Sequence, residues 1–91
     1  TQASDSQPRF SYVYAVALES LGDLRGAINY LEKANDQWPN QFELLMTHIL
    51  FLEKANDLEN IFVPLSRLSK LAPNSPEVVS RINKYVHRKE N

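Results

Sequence analysis

Cysteine is absent from this chain. Disulfide bonds, thiolate metal sites and covalent haem attachment are therefore excluded. Neither sign of charge is in surplus: ten Lys and Arg stand against eleven Asp and Glu, for a net charge of −1 and a pI near 6.0. Nucleic acid and anionic membrane surfaces select for an excess of Lys and Arg, so neither is expected as the main partner. No run of about 18 uncharged apolar residues occurs, so no segment is expected to span a membrane. A signal-peptide pattern is also missing, and a chain starting at Thr1 is expected to be a processed product or a piece of something longer. Ser20, Ser66 and Ser69 have no glycine-rich turn around them, and neither His48 nor His87 has a nucleophile beside it. A hydrolase triad is therefore unsupported. His48 also lacks a second histidine three or four residues away, so a packed histidine is expected rather than a metal ligand. The expectation is a non-enzyme with no cofactor and no small-molecule substrate.

What is present is an ordinary folded composition, 43% hydrophobic and 23% charged, well away from the disordered range. Ninety-one residues make one domain. A chain this size buries roughly 60–65% of its unfolded surface, enough for a small core. Residues 1–7 are polar and aperiodic and read as a flexible tail. Pro8 then suits the first position of a helix, where its missing N–H is not needed.

The spacing predicts five helices. The first runs from Arg9 to Leu21, with Tyr14, Leu18 and Leu21 on one face. Its opening run, Phe10 to Val16, has strand character, but no second strand is available to pair with it. Gly22 can take the left-handed conformation that ends a helix, and Asp23 can cap the next. The second helix, Leu24 to Trp38, carries the stripe Leu24, Ala27, Ile28, Leu31 and Ala34; Pro39 stops it. Trp38 is expected to pack at the end of this hairpin.

The third helix, Gln41 to Ala55, has Phe42, Leu45, Ile49 and Leu52 as its main stripe. Asn56 stands in for glycine at its end, and Asp57 is placed to cap the fourth helix, Leu58 to Leu71. Pro64 lies inside that segment and predicts a kink or a late start. Ser75 is placed to cap a fifth helix from Pro76 to about Lys89. Val78, Val79, Ile82, Tyr85 and Val86 form its apolar stripe, and Arg81, Lys84 and Arg88 form a charged stripe facing water.

The two closing prolines, Pro39 and Pro73, stand 34 residues apart. A fixed period of this size marks a helical solenoid. A second recurrence, Glu32-Lys33-Ala34-Asn35-Asp36 and Glu53-Lys54-Ala55-Asn56-Asp57, is out of phase with it and reads as coincidence. Residues 8–40 form the first unit, 41–74 the second, and 75–89 a capping helix.

In the first unit, Ala15, Leu18, the turn Gly22-Asp23-Leu24, then Ala27, Leu31, Ala34 and Pro39 resemble the tetratricopeptide repeat family. The second unit departs from the pattern: Asn56 replaces the turn glycine, and Ile61 and Leu68 replace two alanines. The likeness spans about Pro8 to Arg88, two and a half repeats. It implies an all-α, right-handed solenoid of two helical hairpins and a C-terminal capping helix. Its concave groove would be lined by the first helix of each unit. The resemblance places Tyr12, Val16 and Glu19, then Met46, Leu50 and Glu53, then Lys84 and His87 on that groove. Tyr12, Val16, Met46 and Leu50 would form an apolar floor, each worth roughly 1.5–3 kcal/mol if buried by a ligand. Some family members clamp chaperone tails with basic groove residues; here only Arg81 fits by charge.

The resemblance implies non-catalytic binding of a protein or peptide segment. The alternatives for the same four residues are that they face a neighbouring repeat or a second copy of the chain, or simply pack in the core. The main alternative is a structural or self-associating C-terminal tail of a larger protein. The stretch from Phe10 to Ala34 is similar to C-terminal repeat segments of some bacterial multihaem cytochromes and related secreted proteins. A helical-repeat RNA reader would have a period of 35 and a basic charge, and neither is found.

Overall fold

The computed structural model describes residues 7–86. The expected tail, apart from Gln7, lies outside them, as do His87, Arg88 and Lys89. The described chain is all-α, with α1 at Pro8–Ser20, α2 at Leu24–Gln37, α3 at Phe42–Lys54, α4 at Phe62–Leu71 and α5 at Pro76–Arg81. A single 3₁₀ turn, Leu58–Asn60, precedes α4, and a π-helical turn, Ile82–Val86, continues α5. Packing is sequential, each helix on the next, and α1 also touches α3. The stretch with strand character, Phe10 to Val16, lies wholly within α1.

Local chemistry explains the ends. Pro8 occupies the first turn of α1. Gly22 follows α1 with φ +91°, a conformation in which a Cβ is strained. Asp23 Oδ1 accepts from Gly26 N–H at 3.0 Å and caps α2. A Cβ on Gly26 would fall 2.1 Å from the Asp23 carboxylate, so any larger residue there would have to displace that side chain. Asn56 follows α3 with φ +57°, the substitute for glycine that its sequence position predicts. Pro64 falls in the first turn of α4, where helical N–H groups lack an intrahelical partner anyway. The helix therefore starts late instead of kinking.

Backbone hydrogen bonds recur with the 34-residue spacing of the prolines. Asp23 N donates to Leu18 O and Asp57 N to Leu52 O, both at 2.9 Å; Gly22 N donates to Glu19 O and Asn56 N to Glu53 O, both at 3.0 Å. At the hairpin ends, Trp38 N reaches Ala34 O and Ala72 N reaches Leu68 O, both at 2.8 Å. The first turns of α1, α3 and α5 close through Ser11 N to Gln7 O, Leu45 N to Gln41 O, and Val79 N to Ser75 O. The recurrence at 21 residues has no such counterpart. Asn35 is buried within α2, whereas Asn56 is an exposed left-handed residue after α3.

The apolar side chains form two clusters. Ala15, Leu31, Ala34 and Leu44 make the smaller one between α1, α2 and α3, flanked by Tyr12, Tyr30, Trp38 and Phe51. The larger contains Ile28, Leu45, Ile49, Leu52, Ile61, Leu65, Leu68 and Val78. The stripe expected on α2 is thus its inner face. In α1 the buried positions are Ser11 and Ala15, while Tyr14 and Leu21 are 44% and 84% exposed. The face of Tyr14, Leu18 and Leu21 is therefore not the one the helix buries. Small residues let α1 and α2 approach, and Tyr14 instead meets Tyr30 edge-on at 4.7 Å. Because Ala27 is fully buried, Ala27→Leu is expected to cost about 1–3 kcal/mol by overpacking. Thermal denaturation tests this, and an unchanged Tm would contradict the close packing.

Three local expectations are corrected. The Asp57 carboxylate takes no backbone N–H; it accepts from the Asn60 side chain at 2.9 Å and pairs with Arg25 at 3.3 Å. Ser75 does not cap α5 with its side chain, because its hydroxyl lies 2.9 Å from Glu77 Oε1. Arg81 does not face water. Its Nε and Nη2 reach the two Glu53 oxygens at 3.0 and 3.1 Å, a bidentate pair that one turn of α5 places beside the end of α3.

Candidate functional site

The residues expected to line a groove sit on α1, α3 and the turn after α5. Tyr12, Val16 and Glu19 of α1 are half-buried, as are Met46 and Glu53 of α3; Leu50 is 43% exposed and Lys84 exposed. Tyr12 packs on the smaller core and Met46 on the larger. His87 lies outside the described residues.

The charged members hold helices together. Glu19 pairs with Lys54, tying α1 to α3. Glu53 receives Arg81 and, at 2.7 Å, the Tyr85 hydroxyl, tying α3 to the C-terminal segment. Burial raises the Glu53 pKa, but the hydrogen bonds from Arg81 and Tyr85 and the charges of Arg81 and Lys84 outweigh it, so the carboxyl titrates below its usual value. Tyr85 is pushed up to about 12 by burial and by the same carboxylate. Lys84 sits 5.2 Å from the centre of the Tyr85 ring.

These residues do not share one cavity. Tyr12 lines a hollow of about 270 Å³ between the starts of α1 and α3, with Arg9, Gln41 and Glu43. Glu53 and Lys84 line a shallow depression of about 650 Å³ at the other end of α3, with Leu58, Phe62 and Tyr85. Val16, Met46 and Leu50 line neither. What remains is the surface of α1 and α3 themselves.

A more enclosed cavity, about 260 Å³, lies between α2 and α4. Two ion pairs cross there, Arg25 to Asp57 at 3.3 Å and Arg67 to Asp36 at 3.5 Å. Arg67 Nη1 also donates to the Asn35 main-chain carbonyl at 3.3 Å. Asn35 and His48, both buried, line the cavity as well. Asn35 Nδ2 donates to Leu44 O at 3.3 Å and lies 3.2 Å from His48 Nδ1. A main-chain carbonyl accepts only, which fixes the amide orientation and leaves Asn35 Oδ1 buried with no hydrogen-bond partner. The same contact makes His48 Nδ1 an acceptor. Burial, then the Arg67 charge, pushes the His48 pKa down to about 4 against the opposing pull of Asp36 and Asp57. His48 is thus a neutral, hydrogen-bonded histidine at pH 7. The sequence did not single out this cavity. Its one trace is Asn35, a polar residue four places after Leu31 on a buried face.

Among the described residues no cluster of His, Asp or Glu could hold a metal ion, and no helix is long and apolar enough to cross a membrane. The class defined by this architecture is an all-α chain of sequentially packed helices. Comparison with protein-family models, with curated proteins and with solved structures finds no match to the chain.

Proposed function

We propose that the protein is a non-catalytic interaction module of tetratricopeptide type, which holds a segment of another protein against the faces of α1 and α3. The observation that carries this reading is the repeated turn chemistry. Identical backbone hydrogen bonds close α1 and α3 at positions 34 residues apart, and α1 and α3 touch. Two hairpins built alike and laid side by side bring their first helices together. The surface there has a consistent division of labour. Glu19 and Glu53 are committed to ion pairs between helices, while Tyr12, Val16, Met46 and Leu50 remain only partly covered. Lys84, beside Glu53, supplies a cation at the C-terminal end.

The double variant Tyr12→Ala, Leu50→Glu tests the assignment. Both positions are partly exposed, so the fold should survive. Affinity capture with the wild type and the variant is expected to show specific partners retained by the first and lost by the second. Identical partner sets would remove the groove from consideration.

One observation favours a second reading, that of a self-associating or structural tail. Phe10, Val13, Tyr14 and Leu21 leave an apolar stripe on the outer side of α1, 39–84% exposed. A stripe of this kind suits a neighbouring helix. Size-exclusion mass separates self-association from a monomeric binder: a dimer weakened by Val13→Glu supports self-association, and a monomer removes it.

A further inference from the structure

The cavity between α2 and α4 has an arithmetic of its own. Its carboxylates are Glu32, Asp36 and Asp57, and its guanidinium groups belong to Arg25 and Arg67. The two ion pairs across the cleft consume Asp36, Asp57 and both arginines. Glu32 is left over, a carboxylate on the exposed side of α2. His48 is uncharged at neutral pH. At the buried end, Asn35 is 2% exposed and its Oδ1 lacks a donor. Leaving such an oxygen unpaired carries a desolvation penalty, and native structures usually satisfy it with protein, water or a ligand. The cavity is thus left with one buried acceptor that lacks a donor, Asn35 Oδ1, and one exposed carboxylate outside the ion pairs, Glu32.

We propose that this cleft is a binding site for a small organic cation, a guanidinium or primary ammonium group, with Asn35 Oδ1 and the Glu32 carboxylate as its acceptors. Such a group carries several N–H donors and a positive charge, matching both surplus acceptors. Ile28, Leu52, Val63 and Pro64 line the cavity too and offer apolar walls for an alkyl stem. The cation can arrive as a free amine or as an arginine or lysine side chain. The site lies on α2 and α4, so it stands or falls separately from the face of α1 and α3.

Titration of the ¹⁵N-labelled protein, followed through the Asn35 side-chain amide signals, tests the proposal with three probes. These are agmatine, the capped tripeptide acetyl-Gly-Arg-Gly-amide, and the same tripeptide with citrulline, a neutral isostere of arginine. Saturable shifts are expected with agmatine or the arginine peptide, and binding roughly tenfold weaker with the citrulline peptide, since charge-assisted hydrogen bonds exceed neutral ones. Agmatine binding more tightly than the arginine peptide identifies a free amine as the ligand, and the reverse identifies a side chain. Glu32→Gln, a change at an exposed position, should weaken the cation severalfold at unchanged Tm. The absence of saturable shifts up to about 10 mM, a range that still detects very weak sites, would overturn the proposal and leave Asn35 Oδ1 to water. So would equal affinity for the citrulline peptide, or wild-type affinity in Glu32→Gln.

Discussion

Leu31→Ala is expected to lower stability by about 2–5 kcal/mol and to release α1 before the rest of the molecule opens. Leu31 is fully buried, and the cluster around it contains only Ala15, Ala34 and Leu44 as further buried members. Two of those three are alanines, so Leu31 carries much of the apolar area that fastens α1. A small cluster also has few side chains able to move into a cavity, which favours the upper part of that range. The loss is a large fraction of the roughly 5–14 kcal/mol expected for a domain of this size. Leu65→Ala removes the same atoms from the larger cluster, at the α4 position 34 residues later. Native-state hydrogen exchange distinguishes the two. Leu31→Ala should strip protection first from amides of α1, and Leu65→Ala from those of α4 and α5, because sequential packing allows local opening. Equal loss across all helices in both variants would show one indivisible core and contradict this account.

Acid is expected to destabilise the protein through His48. In the folded chain its pKa is about 4, and the ordinary value is 6.5. The unfolded chain therefore binds this proton more tightly than the folded one. The contribution to stability is complete above about pH 6.5, declines as pH falls, and is fully lost by about pH 4; its size is about 3 kcal/mol. The structural cause is specific. Protonation puts a charge into a buried site facing Arg67 of α4 and turns Nδ1 from an acceptor into a donor, which sets it against Asn35 Nδ2. Asp36 and Asp57 soften the effect without reversing it. Urea denaturation at pH 7, 5 and 4 on the wild type and His48→Gln measures it. The variant should lose less stability than the wild type over this interval. Parallel losses would assign the acid sensitivity to carboxylates alone.

Much of the backbone was legible in the sequence because its signals are local. Gly22 and Asn56 mark left-handed helix ends, Pro8 marks a helix start, and Pro64 delays one. The stripe from Leu24 to Ala34 identified the inner face of α2 because five apolar positions at helical spacing leave one rotation of that helix. The same logic failed on α1, whose residues are apolar on more than one side. There the choice went to Ser11 and Ala15, since close contact with α2 and Tyr30 favours small side chains over the larger area of Tyr14 and Leu21.

The sequence by itself determined the all-α class, the helix order and the 34-residue rhythm of the turns, since each depends on residues within a few places of one another. The pairing of Arg81 with Glu53, the turning of Asp57 towards Asn60 and Arg25, and the polar cavity around Asn35 and His48 were decided only by the tertiary structure. These contacts join residues 13 to 32 positions apart, save the local Asp57–Asn60 bond. Whether a charged side chain meets water or a partner depends on how neighbouring helices are rotated, and that rotation is fixed by the packing of all of them together.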